Sequence, residues 1–179
     1  MNHSSAVPGD VFAGLLYSGT PAATAWVRGG SLAPNLSGMV HFYRTPYAGV
    51  LVEAEFFNLP NRSVPGATAF YAFHIHQDGV CDREPPSAAP NQAGGDFMSA
   101  GGHYNPSNQP HPSHAGDMLP LLGNEGYGWM AFYDKRFTIE EIMGRSVILH
   151  LQADDFTSQP AGNSGTRIGC GVIMPYAPR

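Results

Sequence analysis

Charge is scarce in this sequence. Asp, Glu, Lys and Arg make up 13% of its 179 residues, and the 9 Lys and Arg are outnumbered by 14 Asp and Glu. The formal charge of -5 leaves no basic footprint for nucleic acid. It also sets the overall field against small anions, so an anionic substrate would need a local positive spot. No apolar run is long enough to cross a bilayer, which gives no reason to expect a membrane partner. Internal repeats and low-complexity tracts are lacking as well. The opening residues, MNHSSAVPGDVFAGLLYSG, do not pair a basic region with a long apolar stretch, so they do not read as a signal peptide. A cytoplasmic protein is the expectation, or a periplasmic or secreted one if a signal has been removed. Cysteine is nearly missing: Cys81 and Cys170 are the two. In the cytosol such a distant pair is ordinarily two thiols, whereas in an oxidising compartment it is ordinarily a disulfide.

What the chain does have is apolar residues, at 42%, and turn formers, with 22 Gly and 16 Pro. The length suits one domain with a single core. We expect that domain to span 1–179, with its core over about 23–175. Short strands are predicted at Ala23–Arg28, Leu36–Tyr43, Val50–Phe57 and Thr68–His76. In Val50–Phe57 the pairs Glu53/Glu55 and Ala54/Phe56 interleave, as on a half-buried strand. Strands resume at Gly126–Tyr133, Ser146–Gln152 and Ile168–Met174, and Phe137–Met143 suits a helical turn or two. Between them, Gln77 to about Leu122 is rich in Pro, Gly, Ser and Asn, and a loop of that length in one domain is usually functional or disordered. Short strands with Gly- and Pro-rich turns predict a β-sandwich or barrel.

The histidines carry the chemistry. On a strand, residues two apart share a face, so His74 and His76 would project together, opposite Phe73 and Ile75. Alone, that pair fits two surface histidines as well as one edge of a metal site. His150 would face away from Val147, Leu149 and Leu151, and alone fits a hydrogen-bonded core histidine. The segment HYNPSNQPHPSHAGD is more telling, because His103, His111, His114 and Asp117 on one loop supply three nitrogens and one oxygen. That set suits a closed tetrahedral zinc site.

The segments FHIHQDG, SAGGHYNP, HAGDM, SVILHLQADD and GNSGTRIGCGVI resemble, in order, the signature segments of copper/zinc superoxide dismutases. The likeness runs from roughly Ala25 to Ile173 and is densest from Phe73 onward. It implies an all-β, eight-stranded Greek-key barrel or sandwich of immunoglobulin-like type, with long functional loops. It implies copper ligands at His74, His76, His103 and His150. It implies zinc ligands at His103, His111, His114 and Asp117, with His103 bridging the two metals. Asp154 would link ligands of both metals from behind. Arg167 would be the active-site arginine, and His103 would also carry a proton during turnover. Cys81 and Cys170 would form the intrasubunit disulfide. His3 and His41 are left without a role.

The activity implied is superoxide dismutation by one-electron copper cycling, with zinc as the structural partner. Superoxide would be the substrate, and a homodimer is possible. Two loops depart from the family pattern. Only Pro112 and Ser113 separate His111 from His114, and the stretch FTSQPAG between Asp155 and Asn163 is short and uncharged. By contrast, the 21 residues between Cys81 and His103 resemble the long loop of bacterial members. The rival reading is a non-catalytic copper- or zinc-binding protein on the same scaffold, and a purely structural β-sandwich leaves the histidine spacing unexplained.

Overall fold

The computed structural model describes residues 8–60, 65–83 and 95–178. Its frame follows from alternation. In β1 (Ala23–Gly29) Ala23, Ala25 and Val27 turn inward while Trp26 and Arg28 face out. In β3 (Val50–Phe57) Val50, Val52, Ala54 and Phe56 are buried while Glu53 and Glu55 face outward. A period of two with one apolar face suits a sheet that covers a core on one side only.

With β2 (Ser37–Arg44), β5 (Phe73–His76), β7 (Tyr127–Asp134), β8 (Ser146–His150) and β9 (Arg167–Pro175), these strands form one antiparallel sheet. Its order is β5-β8-β9-β1-β2-β3-β7. A two-stranded ribbon, β4 (Phe70–Tyr71) with β6 (Leu121–Leu122), joins the edges. β4 runs into β5 after one residue, and β6 leads into β7, so the ribbon closes the curled sheet into a Greek-key barrel. Among the described residues there are nine strand segments rather than eight. The strand expected over Thr68–His76 changes partner at Ala72, whose N–H donates to Gln152 and whose carbonyl accepts from His150. Phe70–Tyr71 therefore serve the ribbon, and Phe73–His76 serve the main sheet.

The interior is filled by aromatic and branched side chains. Phe56 meets Phe73 edge to face at 5.8 Å, and Phe42 meets Phe137 at 6.5 Å. The helical turn expected near Phe137 is α2 (Ile139–Ile142), opened by a capping box between Thr138 and Glu141. The sequence reading has no counterpart for α1 (Pro8–Ser18). That helix buries no residue fully, and rests on the barrel through Phe12, stacked 5.1 Å from Tyr133. Its stripe is short, which is why periodicity alone does not announce it. No helix among the described residues is long and apolar enough to cross a membrane.

Candidate metal centre

β5 separates two environments. Phe73 and Ile75 enter the apolar core, and His74 and His76 point the other way, yet both are buried. A returning loop covers them. The Ile75 N–H donates to Gly116 O (2.9 Å), and Tyr104 N–H donates to Ile75 O (2.8 Å). Gln77 N–H donates to Gly102 O (2.8 Å). Bridge pairs form between His74 and Asp117 and between His76 and His103. The edge strand thus gains an irregular neighbour, which carries His103 and Asp117 over the two strand-borne imidazoles. His150 enters from β8, at a β-bulge where the register with β9 slips between Leu149 and His150. Bulges commonly re-aim side chains beside active sites.

All seven side chains expected at the site come together. Ligand atoms of His74, His76, His103 and His150 lie within 4.8 Å of one another, and so do those of His103, His111, His114 and Asp117. Every one is buried, and His103 belongs to both sets.

The hydrogen bonds reveal which nitrogens carry lone pairs. His76 Nδ1 lies 3.0 Å from Gly101 O, and His150 Nδ1 lies 3.3 Å from Gly165 O. A carbonyl only accepts, so both Nδ1 atoms donate, and each Nε2 presents a lone pair. These two Nε2 atoms are 3.4 Å apart with no proton to share. His74 gives Nε2 to Asp154 Oδ2 at 2.8 Å, leaving its buried Nδ1 without a partner, as is His103 Nε2. Four lone pairs thus converge, an arrangement that a bound cation would reconcile, and a nitrogen-rich set of this kind fits copper. Burial lowers the His74 pKa to about 4 and drives those of His76 and His150 well below the ordinary value. The rings therefore stay neutral, as ligands must be.

The second set has a different character. Asp117 Oδ1 lies 2.7 Å from His103 Nδ1 and 3.1 Å from His114 Nδ1. Asp117 Oδ2 accepts the His114 N–H at 3.0 Å and stands 3.1 Å from His111 Nδ1, which has no hydrogen-bond partner. Burial opposes ionisation of Asp117, but its contacts with His103, then with His114, hold its pKa at about 2. Three nitrogens and one carboxylate oxygen fit a closed zinc site.

Asp154 lies behind both sets, accepting from His74 Nε2 and His111 Nε2 at 2.8 Å each. Such outer partners fix the ring orientation and tautomer of metal-binding histidines. Arg167 opens β9 across from His150. Its guanidinium donates to Phe97 O (2.6 Å) and Gly101 O (2.7 Å). Gly101 O therefore holds both Arg167 and His76, a role invisible in a sequence because the acceptor is main chain. Cys81 and Cys170 are joined in a disulfide with Cα atoms 5.6 Å apart. The bond ties the loop to β9 beside Phe97, Ala100 and Ile148. His41 lies on the outer face of the sheet, 2.8 Å from Thr24 Oγ1, and His3 lies outside the described residues.

A curled antiparallel β-barrel with two buried histidine clusters at one side, one set mainly on strands, the other on a loop, and one imidazole common to both, defines a β-barrel protein of the two-metal class. The sequence model for "Copper/zinc superoxide dismutase (SODC)" matches residues 36–173, and the chain belongs to that family. It is 35% identical over 142 residues to superoxide dismutase [Cu-Zn] 1 of Aquifex aeolicus, covering 70% of this chain and 73% of that one. It is 28% identical over 204 residues to the Mycobacterium bovis superoxide dismutase [Cu-Zn], covering 96% and 83%. The fold matches the Cu/Zn superoxide dismutase from Brucella abortus with a TM-score of 0.67 at 24% identity, over 84% of this chain and 98% of the other. The chain is accordingly an oxidoreductase of the superoxide dismutase class, with histidine clusters that could hold copper and zinc.

Proposed function

We propose that this chain dismutes superoxide with His74, His76, His103 and His150 as copper ligands and His103, His111, His114 and Asp117 as zinc ligands. The observation that carries the reading is the sharing of His103, whose Nδ1 faces Asp117 while Nε2 faces the strand-borne histidines. Bound copper supplies one-electron redox chemistry, and zinc supplies a fixed charge without redox chemistry of its own. The protein's own groups do the rest. Arg167 offers a docking charge for the anion, and its two main-chain acceptors keep the fork from swinging away. His103 Nε2 is the place to hold a proton on its way to peroxide, since Nδ1 is engaged by Asp117. Asp154 keeps Nε2 of His74 and His111 as donors, so their Nδ1 atoms stay available.

The rival is a copper- or zinc-binding protein without turnover, and the presence of Arg167 beside the first cluster favours the enzyme. Stopped-flow dismutation on protein with copper and zinc counted per chain, beside a His150→Ala variant, separates the two. Fast, copper-dependent turnover that vanishes in the variant supports the enzyme; tight metal binding without turnover sinks it. The disulfide favours an oxidising compartment over the cytoplasm. Trapping of thiols in intact cells tests that choice, since two reduced cysteines would return the chain to the cytoplasm. A single domain over 1–179 completes the reading, and sedimentation of the metal-loaded chain distinguishes a monomer from a homodimer.

A further inference from the structure

The uncharged stretch between Asp155 and Asn163 makes contacts that a guide for substrate would not need. Gln159 meets the main chain of His111 in both directions. The His111 N–H donates to Gln159 Oε1 (3.0 Å), and Gln159 Nε2 donates to His111 O (2.7 Å). This is the two-way exchange made by opposed residues of an antiparallel ladder, supplied here by a side-chain amide to a loop that belongs to no strand.

Gln159 is itself braced. The Asp155 carboxylate accepts from Thr157 N (2.9 Å), Ser158 N (2.7 Å) and Ser158 Oγ (2.6 Å). Gly162 N–H donates to Ser158 O (2.8 Å), and Asp155 N–H donates to Gly162 O (2.9 Å). Gly162 has a φ of +64°, and a Cβ there would fall 2.0 Å from Asp154 Oδ1 and 2.7 Å from His111 Nε2. The turn therefore lies directly over the contact between Asp154 and His111. Beneath it the His111 ring is fully buried, with its Nδ1 unpartnered and 3.1 Å from Asp117 Oδ2.

We propose that Gln159 is a positioning residue for the second metal. It fixes the His111 main chain so that the ring keeps Nε2 on Asp154 and Nδ1 toward the centre of its cluster. It touches neither metal nor substrate. The proposal rests on the reading of His103, His111, His114 and Asp117 as a zinc site. The short loop is then a strap across the zinc side of the centre. The task needs an amide, because one group must donate and accept at once. Gln159→Glu keeps the acceptor and sets a carboxylate against the His111 carbonyl; Gln159→Met keeps the length and loses both bonds.

The test uses full-length protein loaded with copper and zinc. Zinc release to an excess of a chromophoric chelator is timed for wild type, Gln159→Met and Gln159→Glu. The visible absorption of cobalt(II) put in place of zinc, copper retention, and the melting temperature of the metal-free chains are measured alongside. The expected result is zinc release about tenfold faster in both variants, the scale typical of lost outer-shell partners. The cobalt spectrum should shift, with copper retention and metal-free melting unchanged. Release within about twofold of wild type and an unshifted cobalt spectrum would overturn the proposal, being well below the usual outer-shell effect. Loss of both metals together with a lowered metal-free melting temperature would overturn it too, since Gln159 would then be a general structural residue. If Gln159→Met does not fold, Gln159→Glu carries the comparison. Wild-type protein that takes up no zinc would overturn the zinc reading itself, before any variant is compared.

Discussion

The two histidine clusters share a ring but are built by opposite means. In the first, His74, His76 and His150 stand on strands whose main chains are held by ladder pairing with β8 and β9. In the second, His111, His114 and Asp117 stand on a loop outside any strand, which touches β5 through main-chain bonds near Asp117 and is otherwise held by side chains. Asp117 caps the His114 N–H, Gln159 clasps His111, and Asp154 grips its ring. Strand-borne ligands inherit the stability of the barrel, whereas loop-borne ligands depend on a handful of polar contacts, each open to deletion. Local stability varies in this way across a single domain. The first cluster should therefore fail only when the barrel fails, and the second should fail piece by piece.

The strongest challenge to that contrast is a cavity behind the first cluster. Phe73 is fully buried, packs on Phe56 and precedes His74. Phe73→Ala should cost about 3–5 kcal/mol in denaturant unfolding of the metal-free chain. Copper binding should weaken in parallel. A stable variant with poor copper binding would show that the barrel does not set the first cluster.

Breaking the disulfide should come next in size. Cys81 and Cys170 are 89 residues apart, and removing such a bond typically costs about 2–5 kcal/mol. The bond anchors the segment whose Phe97 and Gly101 carbonyls hold Arg167. In the Cys81→Ser/Cys170→Ser double variant, hydrogen exchange should quicken most at residues 95–104 and least in the β2–β3 pair. Uniform quickening across both would erase the distinction between loop and sheet.

Asp154 probes the point where the two constructions meet. Asp154→Ala leaves His74 and His111 each without an acceptor, and loss of such a partner typically weakens metal binding about 10–100-fold. Chelator competition should show the larger loss for zinc, because His74 keeps its strand while His111 keeps only Gln159. Equal losses would mean that Asp154 sets both sites alike.

The same contrast explains what could be read from the sequence. His74 and His76 were legible because alternation on a strand assigns faces, and Phe73 and Ile75 confirmed which face was core. The Asp154, Arg167 and cysteine roles came only through resemblance, since nothing local to those residues says what they will meet. The break of one expected strand at Ala72 was hidden, because the partner change is imposed by distant Gln152 and His150. Gln159 and the Gly101 carbonyl stayed invisible for a related reason. A glutamine in a loop has no periodicity to betray it, and a main-chain acceptor has no side chain at all. Helix α1 escaped because its apolar face, Val11, Phe12, Leu15 and Leu16, covers only two turns, and it meets the barrel through Phe12 against Tyr47 and Tyr133.

The smallest expected effect concerns substrate capture. The stretch from Phe156 to Gly162 has no ionisable side chain, and the formal charge of the whole chain is -5. Arg167 draws superoxide inward, while the net field pushes it out, and added salt screens both. Screening the local attraction lowers the encounter rate, and screening the global repulsion raises it, so the two changes oppose each other. The dismutation rate should vary by no more than about twofold between roughly 0.01 M and 0.15 M salt. A steep fall would reveal a guiding field from charges outside this loop, and would remove the contrast between a strap that holds zinc and a guide that collects substrate. A steep rise would show that net repulsion dominates and that Arg167 acts only after the anion has arrived.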